Sequence, residues 1–256
     1  MLKINNMTHY FGGLKAVDNF SIDIKPKEII GLIGPNGAGK TTIFNLITGV
    51  YNPTEGEIIF NDTNITKLPP HAITANGIIR TFQNIRLFNS MSVLENILVA
   101  RHCKMKTGIL SSVFRLPSYY NEEREVEEKA KEFLEVFNLT DVMYAPASSL
   151  PYGRQRRVEI ARALVSEPQL LLLDEPAAGM NSKEALELLD LIHQIADNFN
   201  LTIFLIEHQM PVVMGVAHRI HVLDFGKTIA VGTPNEIKKN DEVITAYLGE
   251  GAKKWL

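Results

Sequence analysis

Hydrophobic positions along the chain change period several times, and each change marks an element. Ile22 and Ile24 alternate with Ser21 and Asp23, the period-two signature of a half-buried strand. After the turn Lys25-Pro26-Lys27, the run Ile29-Ile30-Gly31-Leu32-Ile33 is apolar nearly throughout, as a strand covered on both faces would be. A glycine-rich turn follows, then a helical stretch from about Lys40 to Thr48 that Gly49 closes. Ile58 to Phe60 and Gly77 to Phe82 read as further strands. From about Asn84 the period becomes helical. Ser92 and Glu95 form a candidate capping box ahead of Val93, Leu94, Ile97 and Leu98. A long charged helix starting near Pro117 carries a stripe of Val126, Ala130, Phe133, Leu134 and Phe137 against a glutamate-rich, solvated face. Beyond Pro168 the strand-helix alternation returns. Leu170 to Leu173, Leu201 to Ile206 and Arg219 to Leu223 read as buried strands, and Asn181 to Ala196 reads as a helix with Asn181 and Glu184 set for a capping box. The fold class expected is α/β, with a parallel-sheet core, an N-terminal antiparallel β portion and an inserted helical segment. The expected boundaries are residues 1–83 and 165–256 for the core and 84–164 for the insert.

Composition narrows the classes. The 256 residues include 26 basic and 29 acidic side chains, too balanced for a protein that holds nucleic acid by bulk charge. One cysteine, Cys103, excludes a disulfide framework and a cysteine-based zinc cluster. No apolar run is long enough for a membrane span, and no secretory signal is evident at Met1 to Asn5, so a cytosolic location is expected.

The candidate chemistry sits at strand ends. Gly34-Pro35-Asn36-Gly37-Ala38-Gly39-Lys40-Thr41, with Thr42 next in line, matches the glycine-rich turn that cradles nucleotide phosphates. Its backbone N–H groups can face one concavity, with the positive end of the following helix aimed at the same point. Lys40 can neutralise β and γ oxygens, and the Thr41 hydroxyl can ligate Mg²⁺. Asp174 and Glu175 close the Leu170–Leu173 strand, where Asp174 suits a Mg²⁺ site and Glu175 the polarising of an attacking water. Gln83 and His208 are further polar residues at strand ends. On pattern alone, His208 reads equally as structural.

In this order these residues resemble the ATP-binding subunits of ABC transporters, over about Leu2 to Gly249. The resemblance implies a P-loop NTPase (RecA-like) core, with Phe11 stacking on adenine, Gln83 in the glutamine loop sensing γ-phosphate and Mg²⁺, and His208 as the switch histidine. Leu150 to Leu164 falls where the family's signature lies. There Pro151, Tyr152 and Arg154 replace the serine, first glycine and glutamine of the common Leu-Ser-Gly-Gly-Gln form. Proline offers neither hydroxyl nor N–H, so capping of a partner's γ-phosphate rests on Gly153 and the following helix N-terminus. The Tyr152-Gly153 pair, the Glu175-Pro176-Ala177-Ala178-Gly179-Met180-Asn181 loop, the segments Phe82 to Phe88 and Met91 to Ile97, and an insertion from Lys106 to Ser118 look like the branched-chain amino acid transporter subfamily.

What the resemblance implies is a Mg-dependent ATPase working as a head-to-tail dimer with a second, identical or sister, ATP-binding subunit. It would sit peripherally on the inner face of the cell membrane against transmembrane permease subunits. An external or periplasmic solute-binding protein would act indirectly, and no nucleic acid is involved. Leu87, Phe88 and Met91 are candidates for the permease groove or, equally, for the core of the helical segment. Competing readings are the ATPase of a lipopolysaccharide exporter, whose nucleotide-binding sequence is similar, and a nucleotide-gated switch with little turnover. A small-molecule P-loop kinase is disfavoured because it would leave the signature segment without a purpose.

Overall fold

The computed structural model describes residues 1–102 and 117–248. Cys103 and most of the Lys106–Ser118 insertion lie outside the described residues. The chain divides into two compact units, one of Met1–Arg80 with Gln169–Leu256 and a second of Thr81–Pro168.

In the first unit, β1 (Leu2–Phe11) and β2 (Leu14–Ile24) form a hairpin, and β1 also pairs antiparallel with β4 (Glu55–Phe60). With β5 (Thr63–Asn64) they build a four-stranded sheet in the order β2-β1-β4-β5. A second sheet of six strands runs β10-β9-β3-β8-β7-β6. It comprises β3 (Ile29–Ile33), β6 (Ile78–Arg80), β7 (Leu170–Asp174), β8 (Thr202–Ile206), β9 (Arg219–Asp224) and β10 (Lys227–Gly232). Its strands pair in parallel except at the β9-β10 hairpin. All five residues of β3, β7 and β8 are buried, which explains their nearly continuous apolar character, interrupted only by Asp174 and Thr202 at strand ends.

The helix α1 (Lys40–Ile47) carries Ile43, Phe44, Leu46 and Ile47 into a core shared with both sheets. The Phe44 ring lies 5.1 Å from that of Phe204 on β8. Fully burying each such side chain stabilises the unit by about 1.5–3 kcal/mol, so the phosphate turn is followed by a helix locked on two sides. Gly49, at φ 70°, ends it. The remaining helices of the unit are α2 (Pro70–Ala75), α6 (Ser182–Asn198), α7 (Met210–Val216), α8 (Pro234–Ile237) and α9 (Asp241–Leu248). The Asn181 side chain accepts from the N–H groups of Lys183 and Glu184, and Glu184 accepts in return from the Asn181 N–H.

The strand expected over Gly77 to Phe82 is shorter in the structure. β6 ends at Arg80, because this edge strand is matched residue for residue only to Leu170–Leu172 of β7. The chain then leaves the sheet.

The second unit is helical, with α3 (Val93–His102), α4 (Pro117–Val136) and α5 (Tyr152–Leu164). α3 packs on α4 and on α5. Val93, Leu94, Ile97, Val126, Ala130, Leu134 and Phe137 are buried as the stripes require, while Leu98 and Phe133 are only half-buried. Ser92 and Glu95 make the reciprocal capping bonds, at 3.2 Å from the Glu95 N–H and 2.7 Å from the Ser92 N–H. No described helix is long and apolar enough to cross a membrane.

Candidate nucleotide site

Sheet register brings the polar strand ends to one edge. Leu32 is level with Ile206, Ile206 with Asp174, and Ile33 with Val222. The segments leaving β3, β7, β8 and β9 at their carboxyl ends therefore emerge side by side, where open parallel sheets hold ligands. These are the glycine-rich turn, Glu175, Glu207-His208 and the β9-β10 turn.

The turn is closely built. At Gly34 (φ 150°) a Cβ would meet the Leu223 carbonyl oxygen at 2.1 Å, and at Gly39 (φ 102°) it would meet that of Ala16 at 2.5 Å. Only glycine fits both places. Lys40 is buried, and its ammonium donates to the carbonyls of Gly34 (2.7 Å) and Pro35 (2.9 Å). Burial lowers its pKa, and the nearby Glu175 and Asp174 charges oppose that shift.

A cavity of about 480 Å³ opens on this edge, lined by Phe11, Leu14, Lys15, Ala16, Asn36 to Thr42, Glu175 and Phe225. Phe11 is 43% exposed and sits in an aromatic cluster, edge-on to His9 (4.7 Å) and to Tyr51 (5.3 Å). This presents a ring to the cavity without burying it. Glu175 has φ 47°, a left-handed backbone that an L-residue adopts at a cost, and its N–H donates to the Ile206 carbonyl at 2.9 Å. His208 Nδ1 lies 3.4 Å from Glu175 Oε2.

Asp174 is buried at the end of β7, where its Oδ2 accepts from the Arg80 guanidinium at 2.6 Å. Arg80 also donates to Asn45 Oδ1 of α1 at 2.7 Å, so one side chain joins β6, β7 and the helix behind the phosphate turn. Thr41 Oγ1 and the Asp174 carboxylate supply hard oxygen donors, a set that suits a Mg²⁺ ion carried mainly by phosphate and water. Among the described residues no cluster of three or more His, Cys, Asp or Glu forms a protein cage for a metal.

Gln83, Tyr152 and Gly153 belong to the second unit. Pro151 is the N-cap of α5 in extended geometry with no side-chain cap, which leaves the helix's first N–H groups without that partner. Inside the helix, Arg156 is fully buried. It donates to the carbonyls of Phe82 (2.7 Å) and Gln83 (2.6 Å), to Tyr152 Oη (3.2 Å) and to Glu159 (2.6 Å). The segment carrying Gln83 and helix α5 are thereby fastened together. Burial raises the Glu159 pKa despite the Arg156 charge.

Residue patterning missed these anchoring groups. Arg80 read as part of a strand, and Arg156 fell inside the Leu150 to Leu164 segment with no role of its own. Glu207, fully buried, accepts backbone N–H groups from Ala177 (2.9 Å), His208 (3.0 Å) and Gln209 (3.2 Å). It ties the loop after Glu175 to the segment carrying His208, and burial raises its pKa. A carboxylate immediately before a candidate switch histidine was the only available signal.

A glycine-rich turn of the phosphate-binding pattern, a carboxylate pair at the end of the strand two places along the sheet and a histidine against the second carboxylate define a P-loop nucleotide-binding protein. The chain belongs to the ABC transporter ATP-binding family. The family described as "ABC transporter" matches residues 17–178, and one described as "Branched-chain amino acid ATP-binding cassette transporter" matches 227–253. The high-affinity branched-chain amino acid transport ATP-binding protein LivG of Escherichia coli K12 is 48% identical over 98% of both chains. The lipopolysaccharide export system ATP-binding protein LptB of the same strain is 33% identical over 97% of each. A crystal structure of an ATP-binding cassette of an ABC transporter in its ADP conformation superposes with a TM-score of 0.85 at 32% identity, covering 98% of this chain and 99% of that one.

Proposed function

We propose that this chain is the ATP-hydrolysing subunit of an importer for branched-chain or similar hydrophobic amino acids, with ATP bound in the cavity between Phe11 and Glu175. The observation that carries the reading is the common edge, where register places the Lys40 turn, Glu175 and His208 side by side. Phe11 stacks on adenine. Backbone N–H groups of the 34–41 turn and the N-terminus of α1 hold the phosphates. The Lys40 ammonium exchanges its two carbonyl partners for β and γ oxygens. Thr41 and Asp174 would hold Mg²⁺, which when bound neutralises developing phosphate charge, and the family resemblance implies that Gln83 senses it. Glu175, aimed by its left-handed backbone, orients water and accepts its proton, and His208 contacts the γ-phosphate while bracing Glu175. Tyr152 and Gly153 cap the nucleotide of a second ATP-binding subunit.

The amino acid assignment is supported by the likeness to LivG, at 48% identity against 33% for the lipopolysaccharide exporter's subunit, and by the match over residues 227–253. The site would lie on the cytoplasmic face of the membrane, against permease subunits served by an external solute-binding protein. Uptake of labelled leucine by vesicles carrying this chain and its co-purifying permease tests the solute. For the chemistry, Glu175→Gln is expected to keep ATP affinity, to lose about two to four orders of magnitude in hydrolysis and to accumulate as an ATP-bound dimer. Unchanged turnover would reject Glu175 as the base. Turnover already negligible in the unsubstituted chain with its permease would favour the nucleotide-gated switch.

A further inference from the structure

The turn between β9 and β10 is a two-residue hairpin loop, with Asp224 paired to Lys227 and Phe225-Gly226 between them. Both loop residues have positive φ, 42° at Phe225 and 80° at Gly226. Such a turn is cheapest with asparagine and then glycine. Gly226 follows that preference and Phe225 violates it, because a bulky L-residue in the left-handed region is under strain. The violation brings no packing in return. Phe225 is 85% exposed, the most exposed of the large hydrophobic side chains among the described residues.

The turn is nevertheless held tightly. The Gly226 N–H donates to the Ala38 carbonyl of the phosphate turn at 2.9 Å, and the Gly226 carbonyl accepts from the Asp18 N–H at 2.9 Å. A Cβ on Gly226 would meet the Ala16 carbonyl oxygen at 2.8 Å, so the turn lies directly on the strand that forms the cavity wall. The Asp18 carboxylate takes Lys15 at 3.1 Å and Lys227 at 3.4 Å, securing the same corner from outside. A strained, exposed aromatic ring is thus mounted on a fixed base, and it lines the cavity that also holds Phe11.

We propose that Phe225 is a second nucleoside contact, an apolar wall for the base and ribose of the nucleotide bound by the same chain. The proposal rests on the cavity being the nucleotide site and adds a residue to it. Strain retained in a residue that packs on nothing is explained when a ligand supplies the packing. Leu14 and Ala16 extend the same apolar lining, whereas the phosphate end is polar backbone and Lys40.

The test is Phe225→Asn, with Phe225→Tyr as the conservative control. Affinities for ATP, ADP and inorganic tripolyphosphate are measured by calorimetry on the monomeric chain, alongside thermal unfolding without ligand. Asparagine is the residue the turn prefers, so the substituted protein is expected to unfold at a higher temperature. It should bind ATP and ADP about tenfold more weakly, within the range of single base–aromatic contacts, with tripolyphosphate affinity unchanged. Phe225→Tyr should keep ATP affinity. Unaltered ATP binding in Phe225→Asn overturns the proposal, as does an equal loss for tripolyphosphate. It is also overturned if monomer affinity is unchanged and only nucleotide-driven dimerisation suffers, since the ring would then belong to a seam between copies. Lys40→Ala separates this from the parent reading: if that variant binds ATP normally, the cavity is not the phosphate site at all.

Discussion

His221 shows how one buried side chain reports on the whole fold. It lies inside β9, 3% exposed, edge-on to Phe20 at 6.2 Å. Burial first, with the Arg219 charge second, lowers its pKa to about 4. The folded chain therefore keeps it neutral, while the unfolded chain takes up a proton near pH 6.5. Above that pH the group contributes nothing to pH dependence. Between pH 6.5 and 4 the unfolded state binds more protons, so stability falls, by at most about 3 kcal/mol. Urea midpoints at pH 7.5 and 5 should show the decline, and His221→Leu should flatten it. Arg156 makes the complementary case. Replacing it by methionine leaves Glu159 buried without its hydrogen-bonded cation and with only the Arg162 charge nearby, a loss of about 3 kcal/mol. The double substitution Arg156→Met with Glu159→Leu should restore much of that in denaturant titrations. The candidate site was legible at residue scale wherever chemistry demands a local pattern: the 34–41 turn, Asp174 and Glu175. It was illegible wherever a residue works through a distant partner, as Arg80 does with Asp174 and Glu207 with Ala177.

Among the elements, helix starts were readable because capping is a local transaction between a side chain and N–H groups two or three residues on. Asn181 meets two such groups at 3.0 Å. Asn181→Ala is expected to cost about 1 kcal/mol, seen as a melting temperature lower by about 2–4 °C. Strand ends were less readable. The strand pattern extends to Phe82, but pairing to β7 stops at Arg80, so length was decided by the partner strand. The β9-β10 hairpin went unpredicted for a similar reason. Phe225 conceals the asparagine-glycine signal that would have marked a two-residue loop.

For the whole molecule, the second unit offers a rigid apolar feature where the family resemblance places a permease contact. Phe88 is 47% exposed, yet its backbone is bracketed by the buried Asn96 side chain, which accepts its N–H at 2.8 Å and donates to its carbonyl at 3.1 Å. The Arg162 guanidinium lies 5.8 Å from the ring centre. Phe88→Glu should therefore fold and hydrolyse ATP at the basal rate while losing co-purification with permease subunits. Retained co-purification would return Leu87, Phe88 and Met91 to the role of local packing.

The sequence alone determined which local devices exist: the phosphate turn, the carboxylate pair, the capping boxes and the nearly all-apolar strands. Each is specified by residues within a few positions of one another. Tertiary structure decided which of them meet. Register across β9, β3, β8 and β7 set Lys40, Glu175 and His208 on one edge, and buried groups tens of residues apart in sequence hold them there. Pairing between distant strands depends on the summed fit of two surfaces, and no short stretch of either strand encodes that sum.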